Sequence, residues 1–371
     1  MDMLALLLLC SIVTQFLPVM QSSRRYGKEE RELSLFQLDA GKEWRGGQRQ
    51  SFFLARELEQ KGYPIQFVVQ PDGPLYNKAR ANSLSVLPQK IRSELDIAAV
   101  FNLAKAMKSN DCRLVHYHDA HSIAVGSVAA FLVKVPLKII TRRVDFPLSK
   151  NCLSRLKYTQ NVDAIIAISQ AVKKVLIAGG IDSRIIRVIP SGVDFSVFEE
   201  SFSKNKLRQE LSFGTEDYLA GIVAQLVDHK GHTYLIEAAR ILRDKAPRLK
   251  ILFVGEGQLR TKLEKQVREN QVQEMIYFLG YRENIPQILA SLDLFILSSK
   301  LEGMGSSILD AMASRLPVVA TAVGGIPEVV THEETGLLVP PQNPNALAQA
   351  ILRLYNDKDR ASRLGQQGYD V

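Results

Sequence analysis

A chain of 371 residues, 46 % of them hydrophobic, is longer than a single core usually supports, so two domains are expected. A formal charge of +8 points to an anionic partner, either a nucleotide or an anionic lipid surface. No zinc finger, RNP motif or other nucleic-acid module is present, which sets nucleic acid aside, and Cys10, Cys112 and Cys152 are too few and too scattered for a disulfide framework or a metal cluster. A reducing, cytoplasmic setting follows.

Met3 to Met20 is an uncharged run of 18 residues followed by Arg24, Arg25 and Lys28. It is slightly short of the ~20 residues of a spanning helix, and Pro18 weakens it further. Asp2 and the lack of a small-residue cleavage site argue against a signal peptide. Three readings stay open for residues 1–32: a membrane anchor whose basic flank holds the rest on the cytoplasmic side, an accessory helix packed on the core, or an over-long gene start.

From Leu33 apolar strands alternate with amphipathic helices, the pattern of parallel sheets covered on both faces. Leu33 to Leu38 reads as the first strand. The loop from Asp39 to Gly47 follows, then a helix with Phe52, Phe53, Ala55 and Leu58 inward. Gly46 and Gly47 lie where ligands gather on such a sheet, between its first strand and first helix. Strands at Ile65–Val69 and Arg113–Tyr117 come next, the latter running into His116-Tyr117-His118-Asp119-Ala120-His121. That cluster invites a metal, but its spacing does not put three ligands on one side of a helix, so none is expected.

Between Lys134 and Lys157 stand Lys134, Lys138, Arg142, Arg143, Lys150, Arg155 and Lys157 against the single acid Asp145. The segment is either a solvated basic face or, because Phe146, Pro147, Leu148 and Leu153 are interleaved, a surface resting on anionic lipid. After strands at Asp163–Ile168 and Ile185–Val188, the turn Ile189-Pro190-Ser191-Gly192-Val193-Asp194 marks the domain boundary. The domains are then 33–194 and 195–371.

The second domain opens with Leu219–Ala224, then Gln225 to Gly231 and a helix bearing Tyr234, Leu235, Ala238, Ala239 and Leu242. Strands at Ile251–Gly257 and Met275–Gly280 lead to Leu294–Leu297 and the turn Glu302-Gly303-Met304-Gly305-Ser306-Ser307-Ile308-Leu309-Asp310. There the glycines let a ligand approach the backbone, and the amides of the new helix at Gly305 and Ser306 favour an anion. Glu302, just ahead of those amides, suits sugar hydroxyls. Phosphate and polyol together suggest a nucleotide sugar. Asp310 is either a second ligand or, with Ser307, part of a capping box.

The order of these motifs resembles the retaining glycosyltransferases of the GT-B fold, family four, from Leu33 to the end. Glu302 and Asp310 match a Glu-x7-Glu signature with the second member one methylene shorter, and Ile189–Asp194 is similar to the family's Ile-Pro-Asn-Gly-Val-Asp. The resemblance implies an α/β chain of two Rossmann-like domains facing across a cleft, the first on the acceptor side and the second binding the nucleotide sugar. It implies that Gly46 and Gly47 touch the distal phosphate, His118 lies beside the donor sugar, Lys230 holds the diphosphate and Asp310 the ribose. It places Tyr281, Arg282 and Asn284 where relatives contact the base. Gln225 stands where relatives carry an arginine, a change that forfeits a charge-assisted hydrogen bond of about 1.5 to 3 kcal/mol; Arg45 or Arg49 is the candidate to compensate.

The implied function is metal-independent transfer of a sugar from a nucleotide sugar to a glycan or glycolipid acceptor. The setting would be synthesis of cell-envelope polysaccharide or lipopolysaccharide at the cytoplasmic face of the inner membrane. The alternatives are a nucleotide-sugar epimerase on the same fold and a degenerate nucleotide-sugar binder. Relatives continue for one more helix beyond the position of Val371, so the second domain is expected to be truncated.

Overall fold

A computed structural model of the chain describes residues 34–148, 158, 162–199 and 202–371. It divides into two compact units at Ser191 and Gly192. The apolar run Met3–Met20, and Lys150, Leu153, Arg155 and Lys157 of the basic segment, lie outside the described residues. Among the described residues no helix is long and apolar enough to cross a membrane.

The first unit runs β1 (Leu35–Asp39), α1 (Gly46–Gln60), β2 (Ile65–Val69), α2 (Pro74–Ala81), β3 (Val86–Pro88), α3 (Ile97–Ser109), β4 (Leu114–Tyr117), α4 (Ala120–Leu132), β5 (Leu137–Arg142), β6 (Ala164–Ala167), α5 (Gln170–Ala178) and β7 (Ile186–Val188). Its strands pair in parallel in the order β3-β2-β1-β4-β5-β6-β7. Strands buried on both faces must be apolar nearly throughout, which is why β1, β4 and β6 carry no exposed residue. Chain direction across the sheet reverses between β1 and β4. Leu38 pairs with Tyr117 there, so the loops after Asp39 and after Tyr117 emerge side by side.

The second unit repeats the plan: α6 (Lys204–Glu210), β8 (Tyr218–Val223), α7 (His232–Leu242), β9 (Leu249–Val254), α8 (Arg260–Glu269), β10 (Ile276–Gly280), α9 (Ile285–Ala290), β11 (Leu294–Leu297), α10 (Ser306–Ala313), β12 (Val318–Thr321), β13 (Leu337–Val339), α11 (Pro344–Asn356) and α12 (Lys358–Asp370). The sheet order is β10-β9-β8-β11-β12-β13, all parallel. Its reversal falls between β8 and β11, which makes neighbours of the Gln225–Gly231 loop and the turn after Leu297. The architecture is thus α/β with two parallel sheets of the GT-B kind.

Two expectations need correction. The basic segment is not a single outer face, because it contains β5, whose Leu137, Ile139 and Ile140 belong to the core. Three of its described cations, Lys138, Arg142 and Arg143, are also occupied, while Lys134 is exposed. Lys138 pairs with Asp163 at 3.4 Å, and Arg142 donates to the carbonyls of Val144 and Phe146 and to the Tyr158 hydroxyl. In α1, Leu54 is buried with Phe52, Ala55 and Leu58, whereas Phe53 is only half-buried.

One core group carries a pH dependence. His232, at the start of α7, is buried edge-on against Phe253 with ring centroids 5.0 Å apart, and burial pushes its pKa down to about 3. The unfolded chain takes up a proton near pH 6.5 that the folded ring refuses. Its contribution is therefore complete above that pH and is lost as pH falls towards 3. Between pH 7 and pH 5 this one ring should cost about 2 kcal/mol of stability. In denaturant titrations at the two pH values, His232→Leu is expected to lose that much less on acidification than the wild type; an identical acid loss in both would contradict the assignment.

Candidate functional site

In the second unit the site is assembled at the reversal of the sheet. Lys230 closes a short turn of 3-10 helix (Asp228–Lys230), and Gly231 follows at φ 68° as the N-cap of α7. A methyl group on Gly231 would lie 2.0 Å from the Ser298 carbonyl oxygen, so only glycine lets these two loops meet. The contact is reinforced by Ser298 Oγ donating to the Lys230 carbonyl (3.2 Å) and by the Lys300 amide donating to that of His229 (2.7 Å). Lys300 Nζ also pairs with Asp228.

With the loops locked, Lys230 Nζ sits 2.5 Å from Glu302 Oε2, both side chains largely buried, and Ser299 Oγ donates to the same carboxylate oxygen at 3.2 Å. Glu302 is held from behind as well: the Gly325 amide donates to its carbonyl at 3.1 Å, and Thr321 Oγ1 donates to the Ser299 carbonyl at 2.6 Å. Three residues on, Gly305 takes φ 82° and α10 begins at Ser306 with no side-chain cap. The first turn of α10 therefore has amides, and the positive end of its dipole, that its N-cap residue does not satisfy. An ammonium, a carboxylate and a helix start in one loop cluster can bind a phosphate and hydrogen-bond hydroxyls together.

The Ser307–Asp310 capping box does not form. The left-handed Gly305 starts the helix two residues early, which puts Ser307 inside it, and Asp310 lies buried within α10. Gln225 is half-buried just past β8; Arg282 pairs with Glu210, and Tyr281 is exposed. Asp357 caps α12, accepting from the Arg360 amide.

The first unit has its own polar cluster at the matching edge. Asp39, buried at the end of β1, accepts from the Gly41 amide (3.0 Å), Gln48 Nε2 (3.0 Å) and Ser51 Oγ (2.6 Å), tying the glycine loop to α1. Asp119 Oδ2 accepts from the Ala40 amide at 2.6 Å while Oδ1 caps α4 through the His121 and Ser122 amides. The two loops are stapled by that one side chain. Burial, and then the nearby Asp119 charge, raise the pKa of Asp39. Gly46 and Gly47 open α1, whose N-cap Arg45 provides no side-chain cap and pairs with Glu43.

The cluster first considered for a metal is otherwise employed. His116 Nε2 bonds Thr141 Oγ1 at 2.7 Å, Asp119 caps its helix and His121 is exposed. His118, buried beside the His116 ring at a centroid distance of 4.1 Å, faces Arg143, whose Nη2 is 3.2 Å from Nδ1. A guanidinium has no lone pair to offer, so Nδ1 must accept and the neutral ring carries its proton on Nε2. Burial, then the neighbouring His116 and Arg143, hold the His118 pKa well below its usual value. His118 is thus a neutral donor at pH 7 and not a base. Among the described residues its Nε2 is buried without a hydrogen-bond partner, at a cost of about 1 to 3 kcal/mol unless an oxygen atom arrives. Arg143 was not singled out from sequence, because its partner lies 25 positions away on the adjacent strand.

Comparison with known proteins gives the chain's family and fold. Residues 44–197 match the family Glycosyltransferase Family 4 and residues 203–371 match Glycosyl transferases group 1. The chain is 26 % identical over 339 residues to UDP-Gal:alpha-D-GlcNAc-diphosphoundecaprenol alpha-1,3-galactosyltransferase of Escherichia coli, covering 84 % of this chain and 85 % of that one. It is 25 % identical to the lipopolysaccharide core biosynthesis mannosyltransferase LpsB of Rhizobium meliloti, covering 72 % and 76 %. Among solved structures, Anabaena Alr3699/HepE in complex with UDP-glucose is similar with a TM-score of 0.82 at 22 % identity, over 91 % of this chain and 94 % of that one.

The tautomer is directly observable. Nitrogen-15 NMR of the histidine rings is expected to show His118 with its proton on Nε2, unchanged from pH 8 to pH 5, and Arg143→Met is expected to release a mixture of tautomers. A proton on Nδ1 in the wild type would refute the Arg143 contact.

Proposed function

Because the chain belongs to the glycosyl transferases of group 1, family 4, and so is an enzyme that transfers a sugar from a nucleotide-sugar donor, we propose that Lys230 and Glu302 divide the donor between them. Lys230 holds the diphosphate and Glu302 the hydroxyls of the transferred sugar. The observation that carries this is their ion pair at the uncapped start of α10. Without a donor each neutralises the other; on binding, the ammonium turns to phosphate and the carboxylate to hydroxyls, so neither charge is stranded.

The amides of Gly305 and Ser306 are assigned to this diphosphate, with Gln225 as a neutral partner and Asp310 for the ribose, and those of Gly46 and Gly47 at the start of α1 are assigned to phosphate. They would stabilise the negative charge that develops as the bond from the anomeric carbon to the phosphate oxygen breaks. His118, fixed as a donor, is assigned to an oxygen of the transferred sugar. With no side chain in the role of nucleophile, the acceptor oxygen attacks from the face the diphosphate leaves, and its proton passes to the departing phosphate oxygen. Anomeric configuration is retained. No step in this scheme calls on a metal.

The donor base and the acceptor class are inferred from relatives. The Escherichia coli enzyme takes UDP-Gal and a diphosphoundecaprenol-linked sugar, and LpsB acts in lipopolysaccharide core synthesis. A UDP-hexose and a glycan or glycolipid of the cell envelope, met at the cytoplasmic face of the membrane, are accordingly proposed for this chain.

The test is a panel of nucleotide sugars assayed for transfer or slow donor hydrolysis. Glu302→Gln is expected to cut turnover about a hundredfold or more, the size of effect seen when one group opposite a developing charge is removed. Lys230→Met is expected to weaken uridine diphosphate by about 1.5 to 3 kcal/mol. Epimer formation without hydrolysis or transfer, or full turnover in Glu302→Gln, would reject the assignment.

A further inference from the structure

The outer faces of α3 and α4 are apolar where a water-facing surface should be polar. Ile97 and Phe101 on α3, with Leu95 just ahead of it, and Val128, Phe131 and Leu132 on α4 are all exposed, Leu95 by 87 % and Phe101 by 63 %. The two helices pack side by side. Neither contains an acid: α3 reads IAAVFNLAKAMKS and α4 reads AHSIAVGSVAAFL. A helix apolar on all sides is normally enclosed by protein or lipid, yet half of α4 is open. Single exposed apolar residues are ordinary, but five on one helix pair, with Leu95 beside them, are not.

Exposed lysines border this face. Lys105 and Lys108 are exposed along α3, and Lys134 follows α4 at once. Of the flanking acids, Asp96 caps α3, Asp119 caps α4, Asp111 pairs with Arg113, and Glu94 is exposed ahead of α3. A second copy docking through the same face would bring lysines against lysines, whereas lipid phosphates would meet them with opposite charge.

We propose that the α3–α4 face is where this protein rests on an anionic bilayer, its apolar side chains at the acyl boundary and its lysines among the headgroups. The proposal is independent of the donor chemistry. It moves lipid contact from the Lys134–Lys157 segment to a face of which Lys134 is one border.

The experiment uses the full chain, with Met3–Met20 in place, and vesicles of phosphatidylcholine with and without phosphatidylglycerol. Sedimentation is expected to show binding to the anionic vesicles that weakens as salt rises. Phe101→Asp and Phe131→Asp should each reduce it tenfold or more, and so should Lys105→Glu with Lys108→Glu. These side chains are exposed, so thermal unfolding and uridine diphosphate binding should not change. Should an aromatic variant fail to fold, the lysine pair decides alone. Undiminished vesicle binding in the variants would place the contact elsewhere, including residues 1–32. Equal binding to neutral vesicles, or a dimer that the same substitutions dissolve while vesicle binding persists, would overturn the proposal.

Discussion

The close approach of Gly231 to the Ser298 carbonyl is the constraint on which the second unit's site depends. Two loops that leave adjacent parallel strands diverge unless something holds them, and here backbone meets backbone at a distance no Cβ would tolerate. That contact fixes Lys230 relative to Glu302, and the Gly325 amide and Thr321 hydroxyl keep the Glu302 turn from relaxing away. The ion pair is therefore preorganised by the main chain and not only by its own charge. A largely buried pair of this kind contributes little net stability, because desolvation offsets most of the attraction. In the proposed function, it holds two opposite charges ready for a ligand that contains a counterpart for each.

The first unit solves the same problem with side chains. Asp39 and Asp119 do there what glycine does in the second unit, each accepting main-chain amides from the loop at the sheet reversal. Burial, and then the charge of the nearby Asp119, raise the pKa of Asp39. Arg143, whose own pKa burial lowers to about 10 while Asp39 pulls it upward, supplies the balancing cation and fixes the tautomer of His118. The outcome is a buried histidine able to donate and unable to act as a base.

Much of this was legible in the sequence, for a physical reason. Strands buried on both faces must be largely apolar, and Ile65–Val69, Leu294–Leu297 and Val318–Thr321 stand between turn residues that show where they stop. The three-residue strands β3 and β13 are too short to leave a pattern, and β5 was hidden by Lys138 and Arg142, which snorkel from a core strand to partners at its edges. The strand-turn-helix around Glu302 was readable because its parts are contiguous. The role of Arg143 was not, since nothing local in a sequence reports a neighbour on the next strand. The Ser307–Asp310 pattern misled because local spacing cannot reveal that Gly305 would turn left-handed and advance the helix start. The exposed face of α3 and α4 was equally hidden, because an apolar helix reads as core until its packing is known.

The claim that Lys230 and Glu302 share one donor is tested most directly by a double-mutant cycle on uridine diphosphate affinity, comparing the wild type, Lys230→Met, Glu302→Gln and the double variant. If the carboxylate competes with phosphate for the ammonium, Glu302→Gln should tighten the nucleotide when Lys230 is present and have no effect when it is absent, a coupling in the ~0.5 to 3 kcal/mol range of contacting residues. Additive effects, with Glu302→Gln altering affinity equally in both backgrounds, would show that the pair is structural and that the donor is held elsewhere.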